Sequence, residues 1–204
     1  MKRINETNIN TAEHWDQTYK DDKYDFRPAI SEYRVVAQYI TNGSKVLDLG
    51  CGQGNCLDTI AGTKECDLYG IDISPEGIKK AQEEVPETHL MVGDITDTKR
   101  EEQFDHIVCL QTMEHLDRPE ALIEEIGRLL KPSGTFFLTV PYLDHIPSSE
   151  HIWEFDESDI RLLFSQFKDL WVFPWPSGRG VRDEQGKEVY PRGNWDELFV
   201  IGRK

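Results

Sequence analysis

Through its first 173 residues the chain alternates short apolar runs with stretches in which apolar side chains recur at helical spacing. Short strands separated by amphipathic helices bury their apolar faces by forming a mainly parallel sheet with helices on both faces, so the pattern predicts an α/β fold. Lys45–Leu49, Asp67–Ile71, Thr88–Val92, Phe104–Leu110 and Thr135–Val140 read as strands, with two more at Asp169–Phe173 and Leu198–Gly202. Seven strands suit one doubly wound sheet, and 204 residues suit one domain spanning 1–204.

The gaps carry helix start signals. Ser74 followed by Pro75 is an N-cap with proline at the first helical position, and Ile78, Ala81 and Val85 then share a face. Pro119 opens a second helix with Leu122, Ile123, Ile126, Leu129 and Leu130 as its apolar stripe, closed by Lys131-Pro132-Ser133-Gly134. Asp156 caps a third, and residues 11–20 and 28–41 read as two helices ahead of the first strand. Between the last two strands, residues 174–196 hold seven glycines and prolines, which prescribe a loop.

Charge and composition narrow the function. Twenty-three basic against 38 acidic side chains give a net charge of −15, which repels the phosphate backbone and argues against nucleic acid as a partner. The unbroken apolar runs are only a few residues long, so no membrane span is expected. Cys51, Cys56, Cys66 and Cys109 lack CxxC or zinc spacing and fit a reducing cytoplasm as small buried hydrophobes.

The most informative segment runs Val46-Leu47-Asp48-Leu49-Gly50-Cys51-Gly52-Gln53-Gly54-Asn55, a strand that passes through glycines into a helix. Glycines there let a ligand approach the backbone. A nicotinamide-dependent oxidoreductase would need Gly or Ala at position 55, which is Asn, and the charge of Asp48 would oppose a pyrophosphate over the loop. The loop suits a ligand with a carboxylate for the helix start and a cation for Asp48. At the next strand end Asp72 stands 24 residues after Asp48, where a carboxylate accepts ribose hydroxyls, and Asp94 follows the third strand. Asp94 could accept from an exocyclic amine while Ile73 and Ile95 sandwich a flat base.

These residues resemble the class I S-adenosylmethionine-dependent methyltransferases, within them the type 11 group that includes quinone- and sugar-methylating enzymes. The resemblance runs from about Trp15 to Phe167 through DLGCGQG (48–54), GIDIS (70–74), GDITD (93–97), FDHIVCLQTMEHL (104–116) and LKPSGTFFLTVP (130–141). It implies a Rossmann-like seven-stranded sheet ordered 3-2-1-4-5-7-6 with strand 7 antiparallel. It also implies S-adenosylmethionine as cofactor and S-adenosylhomocysteine as product. Asp48, Gly50, Cys51 and Gly52 would hold the methionine end, Asp72 the ribose, and Ile73, Asp94 and Ile95 the adenine, while main-chain groups of Leu110 and Gln111 reach the cofactor amine. Trp15 and Tyr19 share a helical face that resembles the lid of this group, residues 1–41; packing of the same aromatic stripe on the sheet is the other reading.

The acceptor is expected to be a small polar molecule methylated at oxygen, a sugar or nucleotide-linked sugar, since the HxWxF pattern at 151–155 is similar to sugar-modifying members. A hydroxyl acceptor calls for a base, and the candidates are His115 after the fourth strand and His145 and His151 beyond the fifth. In the resembling enzymes the Glu114-His115 pair closes a turn, which makes His115 structural. Quinone-methylating members use extra acids before that turn for a metal; Gln111 and Thr112 stand there, so no metal is expected. DNA methylation is disfavoured, because no Asp/Asn-Pro-Pro-Tyr or Pro-Cys segment follows the fourth strand. A cofactor-binding protein with no acceptor turnover is the non-enzymatic alternative.

Overall fold

The computed structural model describes residues 1–21, 30–143, 148–176, 181–182, 188–189 and 197–204. Its centre is a seven-stranded sheet of β1 (Lys45–Leu49), β2 (Asp67–Asp72), β3 (His89–Val92), β4 (Phe104–Leu110), β5 (Leu130–Pro141), β6 (Asp169–Trp175) and β7 (Glu197–Arg203), in the order β3-β2-β1-β4-β5-β7-β6. β1 to β5 run parallel to one another and β7 is antiparallel to both β5 and β6, the expected arrangement. The order reverses between β1 and β4, and in such sheets ligands bind at that switch point, beyond the carboxyl ends of the strands.

Six helices accompany the described strands: α1 (Ala12–Lys20), α2 (Ile30–Tyr39), α3 (Asn55–Ala61), α4 (Pro75–Glu84), α5 (Pro119–Leu129) and α6 (Glu157–Leu163). One face of the sheet packs Leu122, Ile126 and Leu129 of α5 and Ile160 of α6 against Leu47, Ile107 and Leu138. The other packs Val36 and Ala37 of α2 and Leu57 and Ile60 of α3 against Val46, Val108 and Phe137. The caps behave as their chemistry requires. The Ser74 hydroxyl accepts from the Gly77 N–H at 3.0 Å, and Asp156 forms a reciprocal capping box with Asp159.

Three elements differ from expectation. Lys131–Gly134 does not simply close the preceding helix: β5 begins at Leu130, opposite Phe104, and a register shift makes His106 pair with Thr135. The irregular stretch is pinned by Lys131 Nζ, 2.9 Å from both Asp105 oxygens, and by a backbone bond from Lys204 N–H to the Gly134 carbonyl at 3.2 Å. The loop assigned to 174–196 starts later, because Pro174 and Trp175 complete β6. β6 is the sheet's edge, where a proline without an N–H is tolerated. Val181–Arg182 and Glu188–Val189 pair with each other, and the other positions of 177–196 lie outside the described residues. Finally, Lys2–Arg3 pairs antiparallel with Trp153–Glu154, so the N-terminal arm lies along the 148–154 segment.

The antiparallel end of the sheet has one tight spot. Gly202 in β7 is paired with Phe136, and a Cβ there would sit 2.2 Å from the Phe136 ring, which is itself stacked on Phe164 at 5.1 Å between centroids. Overpacking a filled core costs about 1–3 kcal/mol. Gly202→Ala is expected to lower stability in that range; a denaturation midpoint equal to the parent's in a urea titration would show that the core yields freely.

Candidate active site

The loop after β1 can pass close to its neighbours only because it lacks side chains. Gly50 has φ +79° and a Cβ on it would lie 2.5 Å from Thr112 Cγ2; Gly52 has φ +52° and a Cβ would lie 2.5 Å from the Tyr19 hydroxyl. Any other residue would be strained there and would push away the turn after β4 or helix α1. The Ile71 carbonyl accepts from Gly50 and Cys51 N–H at 2.8 and 3.1 Å, tying the loop to β2.

Two carboxylates close under this loop. Asp48, at 3% exposure, has its pKa pushed up to about 8 by burial and then by the charge of Asp72. Asp72 is also raised by burial, against the pull of the Ser74 and Gly52 N–H groups, which its two oxygens accept at 2.9 and 2.8 Å. A site that holds a buried acid in its neutral form beside a second acid is short of a cation. That fits the expected ligand, which carries an ammonium and a sulfonium. Asp94 is exposed, and one of its oxygens accepts from the N–H and the hydroxyl of Thr96 at 2.8 and 2.7 Å. Ile73, 39% exposed, and buried Ile95 line the same space. Gln111, a non-glycine at φ +51°, turns the chain after β4 with its N–H held by the Thr139 carbonyl at 3.0 Å.

Helix α1 is fastened over the loop. Asp16 accepts from the Ser74 hydroxyl at 2.6 Å and from the Glu76 N–H at 2.9 Å, and these bonds hold its carboxyl below the usual range. Tyr19 is buried against Gly52 and Gly77, and Trp15, 6.4 Å from it between ring centroids, reaches the cavity beyond. The aromatic pair thus packs on the glycine loop and lines the cavity.

The result is one cavity of about 520 Å³. It contains every residue assigned to the cofactor: Trp15, Tyr19, Asp48, Gly50, Cys51, Gly52, Asp72, Ile73, Asp94, Ile95, Leu110 and Gln111. His151 lies in its wall as well, whereas His145 lies outside the described residues.

Beyond Gln111 the wall becomes polar, and several of its members were not anticipated. Glu114, His115, Ser148 and Glu150 line it together with Asn10 from the N-terminal arm. His115 Nδ1 is 2.9 Å from the Glu150 main-chain oxygen, which also accepts from Asn10 Nδ2 at 2.8 Å. The Glu150 carboxylate lies 2.9 Å from His14 Nε2 on α1. Burial holds the pKa of His115 down at about 4, so the ring is neutral near pH 7. The His115 and His151 rings are 5.3 Å apart, and one donor atom each from Glu114, His115 and His151 lies within 4.8 Å of the other two. Together the three could ligate a divalent cation.

Comparison with known proteins agrees with this architecture. Residues 47–138 match the family model described as a methyltransferase domain. The ubiquinone biosynthesis O-methyltransferase of Glaesserella parasuis serovar 5 is 30% identical over 158 residues, covering 68% of this chain and 65% of that protein. A namesake from Xanthomonas campestris pv. campestris is 33% identical over 111 residues, covering 52% of this chain and 46% of its own. The chain therefore spans less than two thirds of these curated relatives. Among solved structures, a Burkholderia thailandensis 1,6-didemethyltoxoflavin-N1-methyltransferase with its substrate and S-adenosylhomocysteine bound aligns at TM-score 0.70 and 17% identity, covering 95% of this chain and 86% of that one. A TehB-like methyltransferase from Corynebacterium glutamicum aligns at TM-score 0.65 and 21% identity, covering 95% and 97%. With the family match lying on the β1–β5 half of this sheet, residues 47–138 form a methyltransferase domain, and the described sheet has the fold of the solved S-adenosylmethionine-dependent methyltransferases.

Proposed function

We propose that the protein transfers the methyl group of S-adenosylmethionine to a hydroxyl of a small polar molecule. The observation that carries this is a single cavity joining three strand-end carboxylates, Asp48, Asp72 and Asp94, to a polar wall of histidines and acids. When bound, the cofactor supplies an electrophilic sulfonium methyl. The residues of this chain bind, orient and exclude water. Asp48 pairs with positive charge, Asp72 with the ribose, and Ile73 and Ile95 with the adenine faces, while Trp15 and Tyr19 shut out solvent. A polar wall favours an acceptor rich in hydroxyls, a sugar or nucleotide-linked sugar; the names of the relatives favour a phenolic acceptor such as a ubiquinone precursor. The two are separated by offering catechol, 3,4-dihydroxybenzoate, methyl glucoside and ethanolamine with the cofactor and measuring S-adenosylhomocysteine release. Cofactor binding without release from any hydroxyl acceptor would sink the reading.

Two outcomes are expected for the cofactor half. Asp72→Ala should weaken S-adenosylmethionine binding by about 1.5–3 kcal/mol, the range for hydrogen bonds to a charged group, and unchanged affinity by calorimetry would remove Asp72 from the site. The second concerns pH. Asp48 has a free-state pKa of about 8, and a bound cation lowers it, so below that pH binding must expel a proton. Affinity should therefore rise as pH goes from 6 to 8, with proton release seen as a dependence of calorimetric heat on buffer ionisation. Asp48→Asn should abolish both effects; a proton release that persists in this variant would place the titrating group elsewhere.

A further inference from the structure

We propose that His115, rather than His145 or His151, takes the proton from the acceptor hydroxyl, and that Glu150 is the positioning residue that keeps the His115 ring ready for it. The assignment rests on the methyl-transfer reading above and goes beyond it by naming the base and what holds it.

The argument begins with the tautomer. A carbonyl oxygen can only accept, so the 2.9 Å contact between His115 Nδ1 and the Glu150 main-chain oxygen puts the ring's hydrogen on Nδ1. Nε2 of the neutral ring then keeps its lone pair, on a residue that lines the cavity. The ring plane is fixed as well, because Trp15 meets it edge-on at 5.1 Å and His151 flanks it at 5.3 Å. The orienting carbonyl is anchored in turn: Asn10 donates to it, and the Glu150 carboxylate reaches His14 on α1 at 2.9 Å and the Ser148 hydroxyl at 3.3 Å. The elements facing His115 thus contribute His14, Glu114, Glu150 and His151 as its titratable neighbours.

Proton transfer from the acceptor leaves the O–H electron pair on oxygen, which forms the new bond to the methyl carbon. The carbon–sulfur pair departs with sulfur, and the proton resides on Nε2 until it passes to solvent. Positive charge lost at sulfur is gained at the imidazole, so the enclosed site keeps its net charge. Glu114 Oε1 lies 3.7 Å from Nε2, and the Glu150 carbonyl and carboxylate both favour the charged ring.

The test combines a spectroscopic and a kinetic arm on the full chain. Long-range proton–nitrogen NMR on histidine-labelled protein with S-adenosylhomocysteine added should show His115 protonated at Nδ1; a signal from the other tautomer overturns the proposal. In the kinetic arm, the fastest hydroxyl acceptor of the panel above is used. His115→Ala should lose about 10²–10⁴ in kcat, the span for removing a general base, with cofactor affinity unchanged and partial rescue by added imidazole. Glu150→Ala should lose less kcat and show both tautomers of His115, which a purely structural lesion would not. Near-normal turnover in His115→Ala, or equal damage to cofactor affinity, overturns the assignment. So does a loss confined to His151→Ala, which would make His151 the base. So does turnover that a chelator abolishes and Mn²⁺ or Zn²⁺ restores, which would make the cluster a metal site. Absence of transfer by the parent protein would sink the methyl-transfer reading itself, whereas the wrong tautomer sinks only this one.

Discussion

Much of this structure is organised around two acids that repel each other. Asp48 and Asp72 stand at the ends of adjacent parallel strands, both buried, and burial and the charge of Asp72 together raise the cost of ionising Asp48. Asp72 is partly reconciled to its position by the N–H groups of Gly52 and Ser74, which also set the path of the glycine loop and the start of α4. Among the described residues no backbone N–H relieves Asp48 in this way, and burial with the charge of Asp72 raises its pKa. A fold that maintains this arrangement gives up stability in the empty state, and a bound cation returns it. The binding energy available to the cofactor is therefore partly stored in the scaffold before the ligand arrives.

The parallel half of the sheet was legible in the sequence because its signals are local. Strand runs, glycines and caps such as Ser74 and Asp156 act within a few residues, and these elements fall at or within a residue or two of where the pattern puts them. What escaped depends on neighbours distant along the chain. The early start of β5 follows from a register shift against Phe104 and an ion pair to Asp105. Pro174 could enter β6 only because that strand lies at an edge, which strand order decides and local composition does not.

The site divides the same way. Ten of the twelve residues assigned to the cofactor sit in short motifs at strand ends, where the chain's direction alone predicts that they converge, and Trp15 and Tyr19 lie on α1. His115 looked like part of a turn, since nothing in its own segment shows that Glu150, 35 residues on, orients it, or that Asn10 and His14, about 140 residues before Glu150, brace that contact. Among the sugar and phenolic acceptors, the wall of the cavity and the names of the relatives point in different directions.

The two halves of the cavity have separate origins in the chain. The cofactor half is carried by the loops after β1 to β4, within the matched residues 47–138, apart from Trp15 and Tyr19. Asn10, Ser148, Glu150 and His151 of the polar wall come from outside that stretch, from the N-terminal arm and residues 148–152, which are laced together by Ile4 N–H to the Ile152 carbonyl at 2.8 Å and by Asn5 to the His151 carbonyl at 2.6 Å. The arm and the segment are a single mechanical part made from two pieces of sequence. Recombination that exchanges only one of them would leave mismatched edges, whereas exchanging both would keep their mutual hydrogen bonds.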